Sequence, residues 1–126
     1  MKICRIALLF LAGCATAPSE APELLVGIAE TDLTPTIPYG LSGYYYARKS
    51  TEARDPLHAK ALVFRQGSVQ AALVLCDLSL ITPDLTAEVR KRAASKSGIP
   101  AEHIILAATH THTGPAYGGD LRRWMP

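Results

Sequence analysis

A chain of 126 residues is long enough for one small domain. Its 13 Lys+Arg against 11 Asp+Glu give a formal charge of +2, and Lys2 and Arg5 lie within the first five residues, so the remainder is neutral and carries no basic field that would recruit nucleic acid. Three cysteines, Cys4, Cys14 and Cys76, are too few for a disulfide framework, and the first two fall in the N-terminal segment.

Residues 1–5 are a short basic start, residues 6–12 an apolar run, and Leu11-Ala12-Gly13-Cys14 closes it with small residues before a cysteine. The apolar run is far shorter than the roughly 20 residues that cross a bilayer as a helix, so residues 1–13 read as an export signal. The Leu-Ala-Gly-Cys element resembles the bacterial lipoprotein box. That resemblance implies cleavage before Cys14, lipidation of its sulfur, and a membrane-anchored protein of the bacterial cell envelope, at the outer membrane or in the periplasm of a Gram-negative cell. Cleavage leaves 11 basic against 11 acidic residues and Cys76 as the one free thiol, a small buried residue in an apolar run rather than a nucleophile. Residues 14–23, polar and proline-bearing, read as a flexible tether, and residues 24–126 as the folded part.

Residues 24–29 predict a short buried strand, stopped by Thr31-Asp32 and then by Pro35 and Pro38, which cannot donate to a ladder. Residues 34–56 read as loop. Within it Tyr44-Tyr45-Tyr46 follow Gly43, and such a loop either lines a pocket for an apolar ligand or lies pinned to the surface. Residues 58–64 and 69–75 flank Arg65-Gln66-Gly67-Ser68 and predict an antiparallel hairpin. The second run becomes continuously apolar from Ala71 to Cys76, which predicts an interior strand buried on both faces.

Thr82-Pro83-Asp84 opens a helix: threonine caps free N–H groups, proline suits the first position, and aspartate opposes the positive end of the dipole. Leu85, Val89 and Ala93 form its buried stripe, Arg90, Lys91, Arg92 and Lys96 a solvated face, and Gly98 and Pro100 its stop. Residues 104–108 are the next strand. The fold class is therefore α/β, a mixed sheet with a β-hairpin followed by a right-handed β-α-β unit. The tail from Asp120 to Pro126 shows no closing helix or strand pattern, and the chain is expected to be an incomplete portion of a larger α/β catalytic domain.

Thr109-His110-Thr111-His112-Thr113-Gly114-Pro115 follows that last strand and holds two of the four histidines. If the backbone is still extended there, side chains at i and i+2 leave the same face, roughly 6.5–7 Å apart at their attachment points. Both rings then converge on one metal ion, or one binds metal while the other holds a substrate; a polar strand end with solvated histidines has the same spacing. Ligands of open α/β sheets bind outside the carboxyl ends of the strands. Asp77, just past the preceding strand, shares that rim and either orients a metal-bound histidine through its ring N–H or caps the strand end. His58 and His103 read as ordinary positions.

Val26-Gly27-Ile28-Ala29, Thr31-Asp32-Leu33-Thr34-Pro35, Gly40 to Gly43-Tyr44, Asp55-Pro56-Leu57-His58-Ala59-Lys60-Ala61-Leu62-Val63, Cys76-Asp77-Leu78 and the Thr-His-Thr-His run resemble, in order, the N-terminal part of the neutral/alkaline, non-lysosomal ceramidases and their bacterial relatives. The resemblance implies a zinc ion that activates water to cleave the amide of an N-acyl sphingosine, giving fatty acid and sphingoid base. It implies that His110 is a zinc ligand and that His112 is the catalytic ring that contacts the substrate or the developing oxyanion. Two departures stand beside it. Thr113 replaces the family's more usual serine, and the family's other zinc ligands, a histidine, a glutamate and a tyrosine, lie far downstream of a motif that has only 14 residues after His112 here. The substrate is expected to be a lipid or other N-acyl amide. The alternatives are a non-catalytic, membrane-anchored binding module and a metallohydrolase of another substrate.

Overall fold

The computed structural model describes residues 21–115; the signal segment, Cys14 and the tail from Asp120 to Pro126 lie outside the described residues. The elements run β1 (Leu24–Asp32), β2 (His58–Gln66), β3 (Val69–Cys76), α1 (Pro83–Ser97), a single 3-10 turn (Ala101–His103) and β4 (Ile104–Ala108). They form one four-stranded mixed sheet in the order β1-β2-β3-β4. The first two pairings are antiparallel and β3 with β4 is parallel, so the chain is α/β, with a hairpin followed by a strand-helix-strand unit.

Local chemistry accounts for each joint. Gln66 pairs with Val69 across a two-residue turn, and Gly67 takes the positive φ of 56° that a first turn position of this kind asks for. α1 begins at Pro83 and ends where Gly98, at φ 75°, donates its N–H to the carbonyl of Ala94 at 2.9 Å. Thr82 precedes the helix as expected, yet its hydroxyl binds the carboxylate of Asp84 and makes no cap hydrogen bond to the backbone.

The charged face of α1 departs from the expectation too. Arg92 pairs with Glu88 at 2.6 Å one turn away, whereas Arg90 reaches the sheet and donates from Nε to the carbonyl of Ile104 at 2.6 Å. The half-buried guanidinium thus ties helix to strand. Among the described residues no helix is long and apolar enough to cross a membrane.

The core is small and lies on one side of the sheet. Ala72, Ile99 and Ile104 are buried together, with Val63, Ala93, Ala94 and Leu106 packed against them. Two expectations of burial fail here. β1 extends to Asp32, three residues past its expected end, because Thr31 and Asp32 keep pairing with Ala59 and His58; all nine of its residues are exposed, since β1 is an edge strand that α1 does not reach. β3 is covered on one face alone: Ala72 and Cys76 are buried, while Leu73 and Leu75 between them are 39% and 43% exposed. A continuous apolar run reads the same whether or not a second layer lies over it, so the sequence pattern could not separate the two cases.

Candidate active-site rim

The carboxyl ends of β3 and β4 are neighbours, since Cys76 pairs with Ala108, and the two segments leaving them meet. Leu78 and Ser79 are buried just beyond β3, and Gly114 and Pro115 are buried on the other side. Ser79 N donates to the carbonyl of Pro115 at 3.5 Å, which closes the rim. Both imidazoles stand on this rim and are exposed.

The two rings do converge, by a route other than an extended strand. β4 stops at Ala108, and His110 sits at φ 62°, in the left-handed region that a non-glycine residue enters at a cost of about 1–2 kcal/mol. Its Nδ1 lies 2.7 Å from the carbonyl of Ser79. A carbonyl only accepts, so the neutral ring carries its proton on Nδ1 and presents a lone pair at Nε2. That Nε2 faces the Nε2 of His112 at 3.4 Å, with ring centroids 5.0 Å apart and planes at 77°.

Asp77 occupies the rim in another role. Its N–H donates to the carbonyl of His58 at 2.8 Å and its Oδ2 accepts the N–H of His58 at 2.9 Å, so the carboxylate finishes the β2–β3 ladder. The group that orients His110 is the Ser79 carbonyl. Asp77 still acts on its neighbour: burial first, and then the Asp77 carboxylate, push the Cys76 thiol above its ordinary range, and Cys76 is buried as expected. His103, exposed, binds the carbonyl of Gln70, and Nδ1 of His58 is buried without a hydrogen-bond partner among the described residues.

A loop that sequence reasoning left open completes the rim. Residues 40–49 are pinched at their base by the Gly40–Lys49 bridge and by Leu41 N donating to the carbonyl of Arg48 at 2.9 Å. Gly43, at φ 88°, lies against the His112 ring. Tyr44 meets that ring edge-on with centroids 5.9 Å apart, and Arg48 stacks over Tyr44 at 4.0 Å. Tyr45 and Tyr46 point into solvent, so the three tyrosines do not close a pocket among the described residues. A hollow of about 460 Å³ is lined by Tyr39, Arg48, Arg54 and Thr113, among others.

No three His, Cys, Asp or Glu side chains among the described residues converge as a metal cluster. The donor chemistry at the pair still suits a borderline metal. One imidazole has its lone pair fixed outward, and two nitrogens 3.4 Å apart match neighbouring corners of a tetrahedron with bonds of about 2.0–2.1 Å.

No family model matches the sequence. The structure aligns with a neutral ceramidase from Pseudomonas aeruginosa at a TM-score of 0.67 and 28% identity, over 78% of this chain and 16% of that one. It aligns equally well with a ceramidase solved in complex with C2, at a TM-score of 0.67 and 28% identity over 77% of this chain. The chain is thus similar in fold and sequence to a part of these enzymes, and it spans about a sixth of their length.

Proposed function

We propose that this chain is a segment of a zinc-dependent amidohydrolase that cleaves the N-acyl amide of ceramide-like lipids to a fatty acid and a sphingoid base. His110 supplies one zinc ligand through Nε2, and His112 is the catalytic ring beside it. The observation that carries the reading is the His110–His112 pair at the carboxyl rim of a parallel strand pair, with Nδ1 of His110 spent on Ser79 and the two Nε2 atoms 3.4 Å apart. The likeness to neutral ceramidase supports it.

When bound, zinc lowers the pKa of a coordinated water to about 7 and polarises a carbonyl. The Ser79 carbonyl keeps the His110 proton on Nδ1 and so leaves the Nε2 lone pair free and aimed outward. His112 presents an Nε2–H to whatever oxygen occupies the space before the pair, where a donor stabilises negative charge as it develops on an amide oxygen. A catalytic zinc takes about three protein ligands, so further donors complete the set. In a second reading, favoured by the tetrahedral separation of the nitrogens, both rings bind the ion. With the Leu11-Ala12-Gly13-Cys14 box, we also place the protein on a membrane of the bacterial envelope, where a lipid substrate resides.

The test is made on the polypeptide that carries this segment, by metal analysis and by release of fatty acid from an N-acyl sphingosine. Wild type should hold zinc and turn over. His110→Ala should lose both. His112→Ala should keep its zinc and lose about 10²–10³ in turnover if the ring serves the oxyanion, and should lose its zinc if both rings are ligands. Wild type without zinc and without amide cleavage overturns the proposal.

A further inference from the structure

We infer that Gly43 is a positioning residue for His112, and that Ser79 couples the loop carrying Gly43 to the seat of His110, so that one serine sets the separation of the two imidazoles. The inference rests on the reading of the histidine pair as the working site, and it adds the device that assembles the pair.

Gly43 carries the first half of the argument. A Cβ at this position would stand 2.5 Å from Cγ, 2.6 Å from Nδ1 and 2.7 Å from Cδ2 of His112, distances that real Cβ atoms do not show. The imidazole lies directly on the glycine backbone. The φ of 88° independently disfavours any side chain here. Tyr44, edge-on to the same ring and itself stacked under Arg48, closes the next side. His112 is thereby seated against backbone on one side and against Tyr44 on another, with the rest of the ring exposed.

Ser79 carries the second half. Its carbonyl accepts from Nδ1 of His110 at 2.7 Å, and its hydroxyl accepts from Ser42 Oγ at 2.7 Å in a buried contact. Ser42 precedes Gly43, and its N–H donates to the carbonyl of Gly114 at 3.1 Å, two residues after His112. The loop is tied at its base as well, where Ser50 N donates to the carbonyl of Tyr39 at 2.8 Å and Tyr39 N donates to Ser50 Oγ at 2.9 Å. Seat and clamp share one residue. A shift of Ser79 therefore moves both rings, whereas a side chain at position 43 displaces His112 alone.

The test is made by NMR on the full 126-residue chain, free of metal, with the cross-peak between the imidazole protons of His110 and His112 as the readout. Wild type should show it. Gly43→Ala should keep the dispersed amide spectrum of the sheet, lose that cross-peak and shift the His112 ring protons while those of His110 stay in place. Gly27→Ala, the same chemical change in β1 where a Cβ would meet nothing closer than 4.0 Å, should leave the pair intact. If Gly43→Ala fails to fold, Ser42→Ala decides: losing the hydroxyl tie should weaken the cross-peak and broaden the Tyr44 ring signals. A cross-peak unchanged in a folded Gly43→Ala chain, or in Ser42→Ala where Gly43→Ala does not fold, overturns this inference and leaves the proposed function standing. Absence of the cross-peak in wild type overturns the pair itself, and the proposed function with it.

Discussion

Ile104 and Ile105 are adjacent residues of β4 whose side chains leave opposite faces of the sheet, and they are 2% and 55% exposed. The first lies under α1 with Ala72 and Ile99. The second belongs to a row with Ile28, Leu62 and Leu73, paired across the strands, that no described element covers. Both faces are apolar, and one has a partner layer. The hydrophobic effect rewards area removed from water, so equal side chains on the two faces contribute unequally to this chain's stability. An apolar sheet face left open in this way is the mark of an interaction surface or of a layer supplied by further polypeptide. The difference is also one of precision: the covered face leads directly, through β3 and β4, into the rim that holds the two histidines.

The largest test of this asymmetry is Ile104→Ala. The site is fully buried and its neighbours are fixed by backbone pairing on β3 and by the helix above, so the void cannot collapse easily. We expect a loss of about 2–5 kcal/mol in urea unfolding of the chain. A cost below about 1 kcal/mol would mean that the small core is not what holds α1 on the sheet. Next in size is Arg90→Ala. It removes the 2.6 Å hydrogen bond from the guanidinium to the carbonyl of Ile104, a half-buried, charge-assisted contact. The expected loss is about 1–2 kcal/mol, whereas Lys91→Ala on the exposed side of the same helix should change stability by less than about 0.5 kcal/mol. Equal effects would return Arg90 to the solvated face on which its sequence places it.

That misplacement shows where sequence reading ends. The hairpin, the helix and β4 follow from signals a few residues apart: Gly67 at a turn, Pro83 and Gly98 at the two helix ends, an apolar run at 104–108. Such signals act on their own neighbours, and the antiparallel β2–β3 and parallel β3–β4 pairings follow from them, whereas the place of β1 beside β2 does not. What decides the rim acts over long separations in sequence. The Ser79 carbonyl that fixes His110 lies 31 positions away, and the Asp77 carboxylate meets the backbone of His58, 19 positions away. By its place at a strand end Asp77 is a sensible orienter for His110. Its Oδ2 instead accepts from the His58 backbone, and the Ser79 carbonyl takes Nδ1 of His110. Gly43 stands in a conspicuous Gly-Tyr element, but that its backbone touches His112 depends on how the loop over residues 40–49 folds across the rim, and no periodicity encodes that. The left-handed turn at His110 is not legible either: histidine enters that region more often than most residues, yet in so small a share of cases that its presence does not announce the turn.

The smallest expected effect bears most directly on the comparison. Ile105→Thr keeps a β-branched side chain, so strand propensity is nearly unchanged, and removes apolar surface from the open face. In the 126-residue chain Ile105 already spends 55% of its surface in water, so the substitution forfeits little burial and leaves no cavity. Stability should stay within about 0.5 kcal/mol of wild type, while binding of an apolar dye and self-association should both fall, because the row formed with Ile28, Leu62 and Leu73 is broken at its edge. The same substitution in a polypeptide of the length of the matched ceramidases becomes the sharper experiment. If a further layer covers this face there, the introduced hydroxyl is buried without a partner, and the cost should rise toward about 1–3 kcal/mol. A cost near zero in both chains would mean that the face meets water in each and that its apolar row serves some other contact. A cost of several kcal/mol in the short chain would mean that the face is already covered, and the two faces of the sheet would then be alike.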